Sequence, residues 1–225
     1  MQQLFKTNMQ IDNFIRRFLD IIISVIGIVI FLLPVLCFLV ISSLETYKLS
    51  LFSQKRVGKD ASIFTIYKIR TMIVDNSNLN TITAKNDNRI TVFGKFLRKY
   101  KLDELPQLIN VLKGEMSIVG PRPDVPKHID LIKNDYEEIF LIRPGITSPA
   151  SLKYINEELL LFKSQDIENF NKKIFSDKLL INKRLSKTLS IEIYLKCIFY
   201  TFFIYLKIKF LKIKEINDMP SISWF

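Results

Sequence analysis

The sequence is poor in histidine and cysteine, and this scarcity limits the chemistry open to it. Among 225 residues there is one histidine, His128, and there are two cysteines. A serine–histidine triad or a histidine-rich metal site is therefore poorly supported, and any metal must be held mainly by oxygen ligands. Cys37 lies in an apolar run and Cys197 in an aromatic stretch, without metal-ligand spacing. The cysteines thus predict neither a disulfide framework nor a zinc site.

Charge is missing from one long stretch, residues 21–41, "IIISVIGIVIFLLPVLCFLVI". At about 1.5 Å per helical residue, this run reaches roughly the 30 Å thickness of the hydrocarbon core. It is too long for the apolar part of a signal peptide, and no small-residue cleavage pattern follows it. We therefore predict a membrane helix over residues 13–43.

Basic residues flank this apolar run on both sides. Arg16 and Arg17 precede it, and Lys48 and Arg56 follow it. Because basic flanks favour the cytoplasm, both ends are predicted to be cytoplasmic. A re-entrant helix that enters the membrane and turns back satisfies this condition, and Pro34 lies where the break is needed. The alternative is an ordinary spanning helix with a tolerated proline kink.

The formal net charge of +11 favours an anionic partner, either nucleic acid or an anionic membrane. The aromatic residues lie in apolar runs and do not alternate with basic residues, and no zinc-finger or RNP-type motif is present. Nucleic acid is therefore not an expected partner. Next to a membrane segment, the excess positive charge indicates contact with membrane lipids.

Residues 101–123, "KLDELPQLINVLKGEMSIVGPRP", predict a short helix with two carboxylates at its start. Pro106 suits the first turn, and Gly114 is a typical C-terminal stop. Asp103 and Glu104 then lie where free amides and the positive end of the helix dipole favour ionised carboxylates. Asp103 is either a nucleophile or simply a helix cap. The apolar positions are predicted to form one buried stripe: Leu105, Leu108, Ile109 and Leu112.

Arginines held in rigid turns are candidates for binding phosphate. Arg122 lies between two prolines, and Arg143 precedes a Pro-Gly turn. A planar guanidinium can grip a phosphate with two hydrogen bonds. Arg98 precedes Asp103 by about one helical turn or a little more, and its alternative role is a solvated surface charge.

The segment before this region predicts a turn at residues 58–62, followed by a β-strand. Lys68 and Arg70 are two positions apart and therefore lie on one face of that strand. They form either a basic rim for an anion or an ordinary solvated face. The polar stretch "DNSNLNTITAKNDNR", residues 75–89, predicts a loop.

These motifs resemble those of the bacterial sugar transferases, the small monotopic polyprenyl-phosphate phosphoglycosyl transferases. The resemblance rests on "KRVGKDASIFTIYKIRTM", "FGKFLRKYKLDELPQLINVLKGEMSIVGPRP" and "IRPGIT", and on an N-terminal "RRFLDIIISVIG" that leads into the apolar run. It covers the chain from about residue 13 to about residue 196.

The resemblance implies a reaction, a cofactor and a location. The expected reaction moves a phosphosugar from a UDP-sugar to undecaprenyl phosphate, releases UMP and requires Mg²⁺, at the start of surface glycan synthesis. The expected location is the cytoplasmic face of the bacterial inner membrane. A second copy of the chain and downstream glycosyltransferases are possible partners, together with membrane lipids.

The resemblance also implies residue roles. Asp103 is expected to form a covalent aspartyl-phosphosugar intermediate and to serve as a metal ligand, with Glu104 as its catalytic partner. Arg98 and Arg122 match family arginines that hold phosphate, and Pro34 matches the proline that breaks the re-entrant helix. With the residues named above, the candidate substrate-binding set is Arg98, Arg122, Lys68, Arg70 and Arg143.

Two departures from the family pattern stand out. Leu33 precedes Pro34 where the family often has a serine able to satisfy a freed carbonyl. After "RPGIT" many members continue with Gly-Leu and a Gln-Val-Asn-Gly-Arg run. This chain has "SPASLKYINEEL" there, a change expected to alter contacts with the sugar or the uridine.

The predicted fold is α+β and mainly helical, with a re-entrant membrane helix and a small cytoplasmic catalytic domain over residues 44–190 that holds a short β element. Residues 191–225 show no clean helical stripe and are predicted to lie at the membrane interface, with a buried helix as the alternative. The competing function is a catalytically degenerate, membrane-attached scaffold of a glycan-assembly complex. The intact Asp103, Glu104, Arg98 and Arg122 favour the enzyme.

Overall fold

The computed structural model describes residues 2–73, 88–130, 136–155, 157 and 166–211. The helices and strands in chain order are α1 (Gln2–Thr46), β1 (Leu51–Val57), β2 (Ile63–Ile69), α2 (Val92–Lys99), α3 (Gln107–Lys113), β3 (Ser117–Val119), β4 (Gly145–Thr147), α4 (Pro149–Lys153), α5 (Ile167–Thr188) and α6 (Ile191–Leu211). Short 3₁₀ turns cover Lys59–Ala61, Leu102–Glu104, Pro126–His128 and Glu137–Leu141. The prediction of a mainly helical chain with a small β component is confirmed. Apart from its last two residues, the predicted loop over 75–89 lies outside the described residues.

Helix α1 carries the apolar run. Its part Gln10–Thr46 is long and apolar enough to cross a membrane, and only 6% of its most apolar window is buried. This exposure distinguishes α1 from the core helix of a globular domain. The helix continues through Pro34. Since proline has no N–H, one helical hydrogen bond is missing at that position.

Both ends of α1 pack on the same domain. In the first half of α1, the Arg17 guanidinium donates hydrogen bonds to the carbonyls of Val111 at 2.6 Å and Leu112 at 2.9 Å, at the end of α3. Near its last turns, Glu45 accepts a hydrogen bond from the backbone N–H of Phe93 in α2, at 3.2 Å. These contacts bracket the apolar run.

Strands β1 and β2 form an antiparallel hairpin, with Leu51 opposite Ile69 and Val57 opposite Ile63. The predicted turn is therefore confirmed. Asp60 has a φ of 55°, in the left-handed region that this tight connection requires. The inward side chains of β2, Phe64 and Ile66, enter the main core.

The main core joins β2, α3, β3 and α6. Its buried members are Phe64, Ile66, Leu108, Val111, Met116, Ile118, Val119, Tyr194 and Cys197.

On α3 the predicted apolar stripe is only partly correct. Ile109 is 43% exposed, whereas Asn110 is buried. The Asn110 amide donates to the carbonyl of Thr65 at 2.7 Å and to the carboxylate of Glu115 at 2.7 Å. A buried polar group with these partners is stable, so the amide ties α3 to the hairpin and sets the helix rotation.

A second, parallel pair of strands places the proline-flanked arginine. β3 pairs with β4 through Ser117 opposite Gly145 and Val119 opposite Thr147. The backbones then approach closely, and a Cβ on Gly120 would lie 2.3 Å from the carbonyl oxygen of Arg143. Only glycine fits there. The chain leaves this crossing as the Pro121–Pro123 turn.

The last described segment is helix α6, and it does have a buried face. Tyr194, Cys197 and Ile204 are buried on that face, and Thr201 lies half-buried beside it. Exposed apolar residues cover the opposite side: Leu195, Phe199, Phe202 and Phe203. The prediction that this region lacks a clean apolar stripe is confirmed, because the buried face mixes polar and apolar residues while the exposed face is rich in aromatics, and its location at the membrane interface stays a prediction.

Candidate active site

Glu104 lies at the centre of the site and is 6% exposed. Its Oε1 receives hydrogen bonds from Lys68 Nζ at 2.8 Å and from Arg122 Nη2 at 2.6 Å, and its Oε2 receives one from Arg122 Nη1 at 3.3 Å. Burial would raise the pKa of Glu104, but Arg122 and Lys68 outweigh it and hold that pKa well below its usual range. Glu104 is therefore a fixed anion that orients two cations.

Asp103 has the opposite environment, although it is the adjacent residue. It is 8% exposed, and its Oδ1 has no hydrogen-bond partner among the described residues. Burial and the charge of Glu104 raise the pKa of Asp103, against the nearby cations of Lys68, Lys101 and Arg98. No backbone N–H of α3 donates a hydrogen bond to Asp103, and the N-cap position of this helix is Pro106. The helix-cap interpretation of Asp103 therefore has no support in the contacts.

The backbone explains how both carboxylates become buried. Lys101 adopts a left-handed conformation with φ 54°, which ends the α2 region and starts the 3₁₀ turn Leu102–Glu104. This turn presses Asp103 and Glu104 against β2. Gly114 then ends α3 with φ 83°, as the sequence predicts.

Arg122 contacts the Asp103–Glu104 pair, called the dyad below, through its hydrogen bonds to Glu104. Pro121 and Pro123 are buried, while the side chain of Arg122 is 50% exposed. Two of the five N–H donors of its guanidinium are bonded to Glu104, and the described residues provide no acceptor for the others. An anion approaching from solvent meets this arginine beside the buried carboxylates.

The other predicted substrate-binding residues divide into two groups. Lys68 reaches the dyad through Glu104. Arg98 lies close enough to lower the pKa of Asp103, while its own hydrogen bonds go to Thr71 Oγ1 at 2.8 Å and Met72 Sδ at 3.0 Å.

The structure does not bring the remaining two arginines to the carboxylates. Arg70 donates to the carbonyl of Leu49 at 3.1 Å and lies over the ring of Phe52. Arg143 donates to the carbonyl of Gly114 at 2.7 Å, at the far end of α3.

Arg56 is a site residue that the sequence reasoning did not select. It donates to the carbonyl of Pro123 at 3.1 Å and to Gln54 Oε1 at 2.7 Å, and its buried Nε has no partner among the described residues. Burial and the charge of Arg122 lower the pKa of Arg56. The sequence signal that could have identified Arg56 is its position in the "KRVG" segment, which is part of the motif that carries the family resemblance.

The charges around the dyad favour an anionic ligand. Four cations, Lys68, Arg56, Arg98 and Arg122, lie near two carboxylates, and Glu104 is already compensated. Two like-charged arginines side by side are stabilised by a shared anion. The arrangement can hold phosphate groups beside a buried carboxylate that has an unpaired oxygen.

The family of the chain follows from a sequence comparison. A family model described as bacterial sugar transferase matches residues 11–208. The chain belongs to the bacterial sugar transferase family. The prediction that it belongs to a family of sugar-phosphate-transferring enzymes is thereby confirmed.

Three curated relatives show what this sugar transferase is similar to. A putative undecaprenyl-phosphate N-acetylgalactosaminyl 1-phosphate transferase of Bacillus subtilis is 41% identical over 122 residues, which is 54% of this chain and 68% of the relative. UDP-glucose:undecaprenyl-phosphate glucose-1-phosphate transferases of Escherichia coli and Klebsiella pneumoniae are 37% and 36% identical, over 63% and 86% of this chain. The chain spans only 32% and 40% of these last two relatives.

Proposed function

We propose that this sugar transferase moves a sugar 1-phosphate from a UDP-sugar to undecaprenyl phosphate and releases UMP. The observation that carries the proposal is the contrast within the dyad: Glu104 is fixed by Lys68 and Arg122, while the adjacent Asp103 has a buried oxygen that no described residue pairs with. The printed names of the relatives describe transfer of sugar phosphates to undecaprenyl phosphate, which supports the same reaction here.

In this proposal the reaction has two steps. An Asp103 carboxylate oxygen attacks the β-phosphorus of the UDP-sugar, a P–O bond to the aspartate forms, and the P–O bond to the bridging oxygen breaks. That oxygen leaves with its electron pair as part of UMP. An oxygen of undecaprenyl phosphate then attacks the same phosphorus and releases the Asp103 carboxylate. The products are the undecaprenyl-diphosphate sugar and the free enzyme.

The cations have separate roles in this mechanism. Arg122, half exposed and held on its inner edge by Glu104, meets the diphosphate with its remaining donors. Glu104 stays ionised and fixes the geometry of Arg122 and Lys68, so these positive charges need not reorganise as negative charge moves onto UMP. Arg56 and Arg98 add to the positive field around the phosphates.

Mg²⁺ is part of the proposal. Within the described residues no three His, Cys, Asp or Glu side chains cluster, so a complete protein cage is not found there. Asp103 Oδ1, which is buried and has no partner among the described residues, would be the side-chain oxygen that holds Mg²⁺, and the other carboxylate oxygen of Asp103 would then be the one that attacks phosphorus. When bound, Mg²⁺ would neutralise charge on the phosphate oxygens.

We further propose that α1 enters the cytoplasmic face of the bacterial inner membrane and returns to it. The same domain contacts α1 near Arg17 and again near Glu45, on either side of the apolar run. A straight helix that crossed the membrane would place these two contacts on opposite sides of the roughly 30 Å hydrocarbon core, whereas a bend at Pro34, where one helical hydrogen bond is missing, would return the chain to the same side.

Helix α2 supports a position at the bilayer surface. Val92, Phe96 and Tyr100 are exposed apolar or aromatic side chains on or next to it, and Lys95 and Lys99 are exposed beside them. Apolar side chains flanked by lysine are typical of helices at a lipid interface. This would bring the dyad close to a lipid phosphate.

A panel of UDP-sugars tests the reaction. Purified protein in lipid nanodiscs, with Mg²⁺ and undecaprenyl phosphate, should release UMP with at least one donor and form a lipid-linked diphosphate sugar. Asp103→Asn, which keeps the size of the side chain, is the matched control and should do neither. Lipid product formation by Asp103→Asn at the wild-type rate would contradict the proposal.

A further inference from the structure

Asp20 is a buried carboxylate outside the dyad, on α1 immediately before the apolar run. Its side chain belongs to a residue that is only 2% exposed. Its Oδ1 accepts a hydrogen bond from the Tyr194 hydroxyl of α6 at 2.8 Å. From β3 the same oxygen accepts hydrogen bonds from the backbone N–H of Ile118 at 2.8 Å and from the Ser117 hydroxyl at 3.0 Å. One carboxylate oxygen therefore joins three separate elements.

The three donors suit a charged acceptor. Hydrogen bonds to a carboxylate are roughly twice as strong as those between neutral groups, and a buried carboxylate without donors is costly. Burial and the charge of Asp20 raise the pKa of the Tyr194 hydroxyl, so Tyr194 keeps the proton that it donates. In the part of the chain that the structure describes, no hydrogen bond joins Asp20 to the dyad or to Arg122. Its role must therefore lie in what it holds together.

The turn that carries Arg122 follows β3 but has anchors of its own. The backbone N–H of Gly120 donates to the carbonyl of Thr147 at 2.9 Å. The backbone N–H of Gly145 donates to the carbonyl of Pro121 at 2.8 Å. These bonds lie within the catalytic domain and persist if the contact with α1 is lost. The carboxylate on α1 thus attaches the domain to its membrane helix, while β4 holds the Arg122 turn inside the domain.

This stretch of α1 also determines how high the domain lies above the bilayer. Ile21 and Ile22, directly after Asp20, are 40% and 37% exposed and begin the apolar surface of the helix. Burial of that surface in lipid sets the depth of α1. Farther along, a Cβ on Gly27 would lie 2.8 Å from Leu108 Cδ1, so α1 packs closely on α3 as well. The attachment at Asp20 therefore relates the depth of the helix to the height of the active site.

We propose that Asp20 is a positioning residue that holds the catalytic domain at the height where the dyad meets the phosphate of the lipid acceptor. The inference rests on the proposed function, because it assumes an acceptor whose phosphate lies at the bilayer surface. It does not depend on a bend at Pro34, since Asp20 precedes the apolar run in either topology. A UDP-sugar arrives from water and is free of this constraint. Loss of the contact should impair use of the lipid acceptor and spare use of the soluble donor.

Kinetics of the full chain in lipid nanodiscs with Mg²⁺, with one substrate varied at a time, test this separation. Asp20→Asn keeps the size of the side chain but removes the charge that three donors share. Its kcat/KM for undecaprenyl phosphate should fall about tenfold or more, because a misplacement of about 1 Å can cost about 10²-fold. Its kcat/KM for the UDP-sugar should stay within about twofold of the wild-type value. Asp130→Asn, the same change at an exposed position, is the matched control and should alter neither constant.

Tyr194→Phe tests the same contact with a smaller change. It removes one donor and leaves the carboxylate in place, so kcat/KM for undecaprenyl phosphate should fall in the same direction by a smaller factor. In the double variant Asp20→Asn/Tyr194→Phe, the loss should be smaller than the product of the two single losses, because both changes act on one contact. Thermal melting identifies the folded preparations, and where Asp20→Asn does not fold, Tyr194→Phe decides between the same outcomes.

Two results would overturn the positioning role. One is a wild-type kcat/KM for undecaprenyl phosphate in folded Asp20→Asn. The other is a fall of both constants by the same factor, because Asp20 would then only support the fold or the geometry of Arg122. The wild type separates this inference from the proposed function. If it releases no UMP from any UDP-sugar, the proposed function fails, whereas an active wild type that Asp20→Asn matches with the lipid acceptor removes only the positioning role.

Discussion

Arg122 donates two hydrogen bonds to Glu104, at 2.6 Å and 3.3 Å, from a turn that two prolines hold in place. Lys68 Nζ donates a hydrogen bond to Oε1 of the same carboxylate at 2.8 Å, so the negative charge of Glu104 is compensated. The adjacent Asp103 has no equivalent partners in the part of the chain that the structure describes, where its Oδ1 is unpaired. Two neighbouring carboxylates thus have different physical states, one fixed as an anion and one available to react.

The first prediction concerns the covalent step. With Mg²⁺ and the correct UDP-sugar but no lipid acceptor, the wild type should release about one UMP per active site, because the first step needs no acceptor. Asp103→Asn should abolish this burst and lower turnover by about 10⁴-fold or more, as nucleophile deletions do elsewhere. Rapid-quench measurement of UMP provides the test. Kinetics in which UMP appears only after both substrates bind would rule out a covalent aspartyl intermediate.

The second prediction concerns the shape of the cation at residue 122. Arg122→Lys keeps the charge but loses the planar fork that bonds both oxygens of Glu104 and still offers donors to phosphate. We expect kcat/KM for the UDP-sugar to fall by about tenfold or more, since one charge-assisted hydrogen bond contributes about 1.5–3 kcal/mol. Arg184→Lys, at an exposed position on α5, is the matched control and should keep wild-type kinetics. Wild-type kinetics of Arg122→Lys would exclude a bidentate role.

The third prediction is that the two carboxylates have opposite effects on stability. Folding raises the pKa of Asp103, so its negative charge destabilises the folded protein at any pH above the folded pKa. Asp103→Asn removes this charge and should raise the melting temperature at pH 7. Folding lowers the pKa of Glu104, so its charge stabilises the fold above the unfolded pKa of about 4.3. That contribution is lost as pH falls through the folded value. Glu104→Gln should therefore destabilise the protein at pH 7, by about 1–3 kcal/mol.

Differential scanning fluorimetry between about pH 4 and pH 8 measures the melting temperature of each variant. It checks the sign of the change for Asp103→Asn and for Glu104→Gln. The loss of stability in Glu104→Gln should lie toward the lower end of the range of about 1–3 kcal/mol, because Arg122 is half exposed and solvent screens its charge. A shift of the same sign for Asp103→Asn and Glu104→Gln would show that the two environments are not different.

The fourth prediction concerns the pH dependence of the burst. Protonated Asp103 cannot attack phosphorus, so the burst rate should fall at acid pH as this carboxylate becomes protonated. Lys101 lowers the pKa of Asp103 by its charge, and therefore Lys101→Gln should move this acid limb to higher pH. Stopped-flow burst rates between pH 4 and 8 provide the measurement. An acid limb that moves to lower pH in Lys101→Gln would contradict the assignment of this limb to Asp103.

The fifth prediction concerns topology. In a background that carries Cys37→Ala and keeps the buried Cys197, one further cysteine is introduced at a time, as Gln10→Cys before the apolar run or Lys48→Cys after it, both at exposed positions. A membrane-impermeant thiol reagent should label neither in intact cells and both after permeabilisation, because both ends are proposed to be cytoplasmic. External labelling of Gln10→Cys in intact cells would establish a spanning helix.

Much of the local structure could be predicted from the sequence. The apolar run, the turn after β1, and the end of α3 at Gly114 all depend on residues close together in the chain, where periodicity, proline and glycine act directly. The position of Asp103 and Glu104 before α3 follows for the same reason. The family of the chain could also be predicted from the sequence, because the motifs that carry the resemblance are continuous segments.

Only the tertiary structure decided which cations reach the dyad. Lys68 is 36 residues from Glu104, and Arg122 is 18 residues from it. Arg56 joins them, whereas Arg70 and Arg143 bond to backbone carbonyls elsewhere. Sequence spacing cannot rank these residues, because their positions depend on how the hairpin, α3 and the β3–β4 pair pack.

Two packing details set that arrangement. The Asn110 amide fixes the rotation of α3 against β2, and this leaves Ile109 exposed although its sequence position predicts burial. The close approach of Gly120 to Arg143 places the turn that carries Arg122. The amino-acid sequence by itself determined the local elements and the reactive pair. The different charge states of Asp103 and Glu104 arise only from long-range packing, because burial and distant cations shift a pKa and sequence neighbours are nearly the same for both.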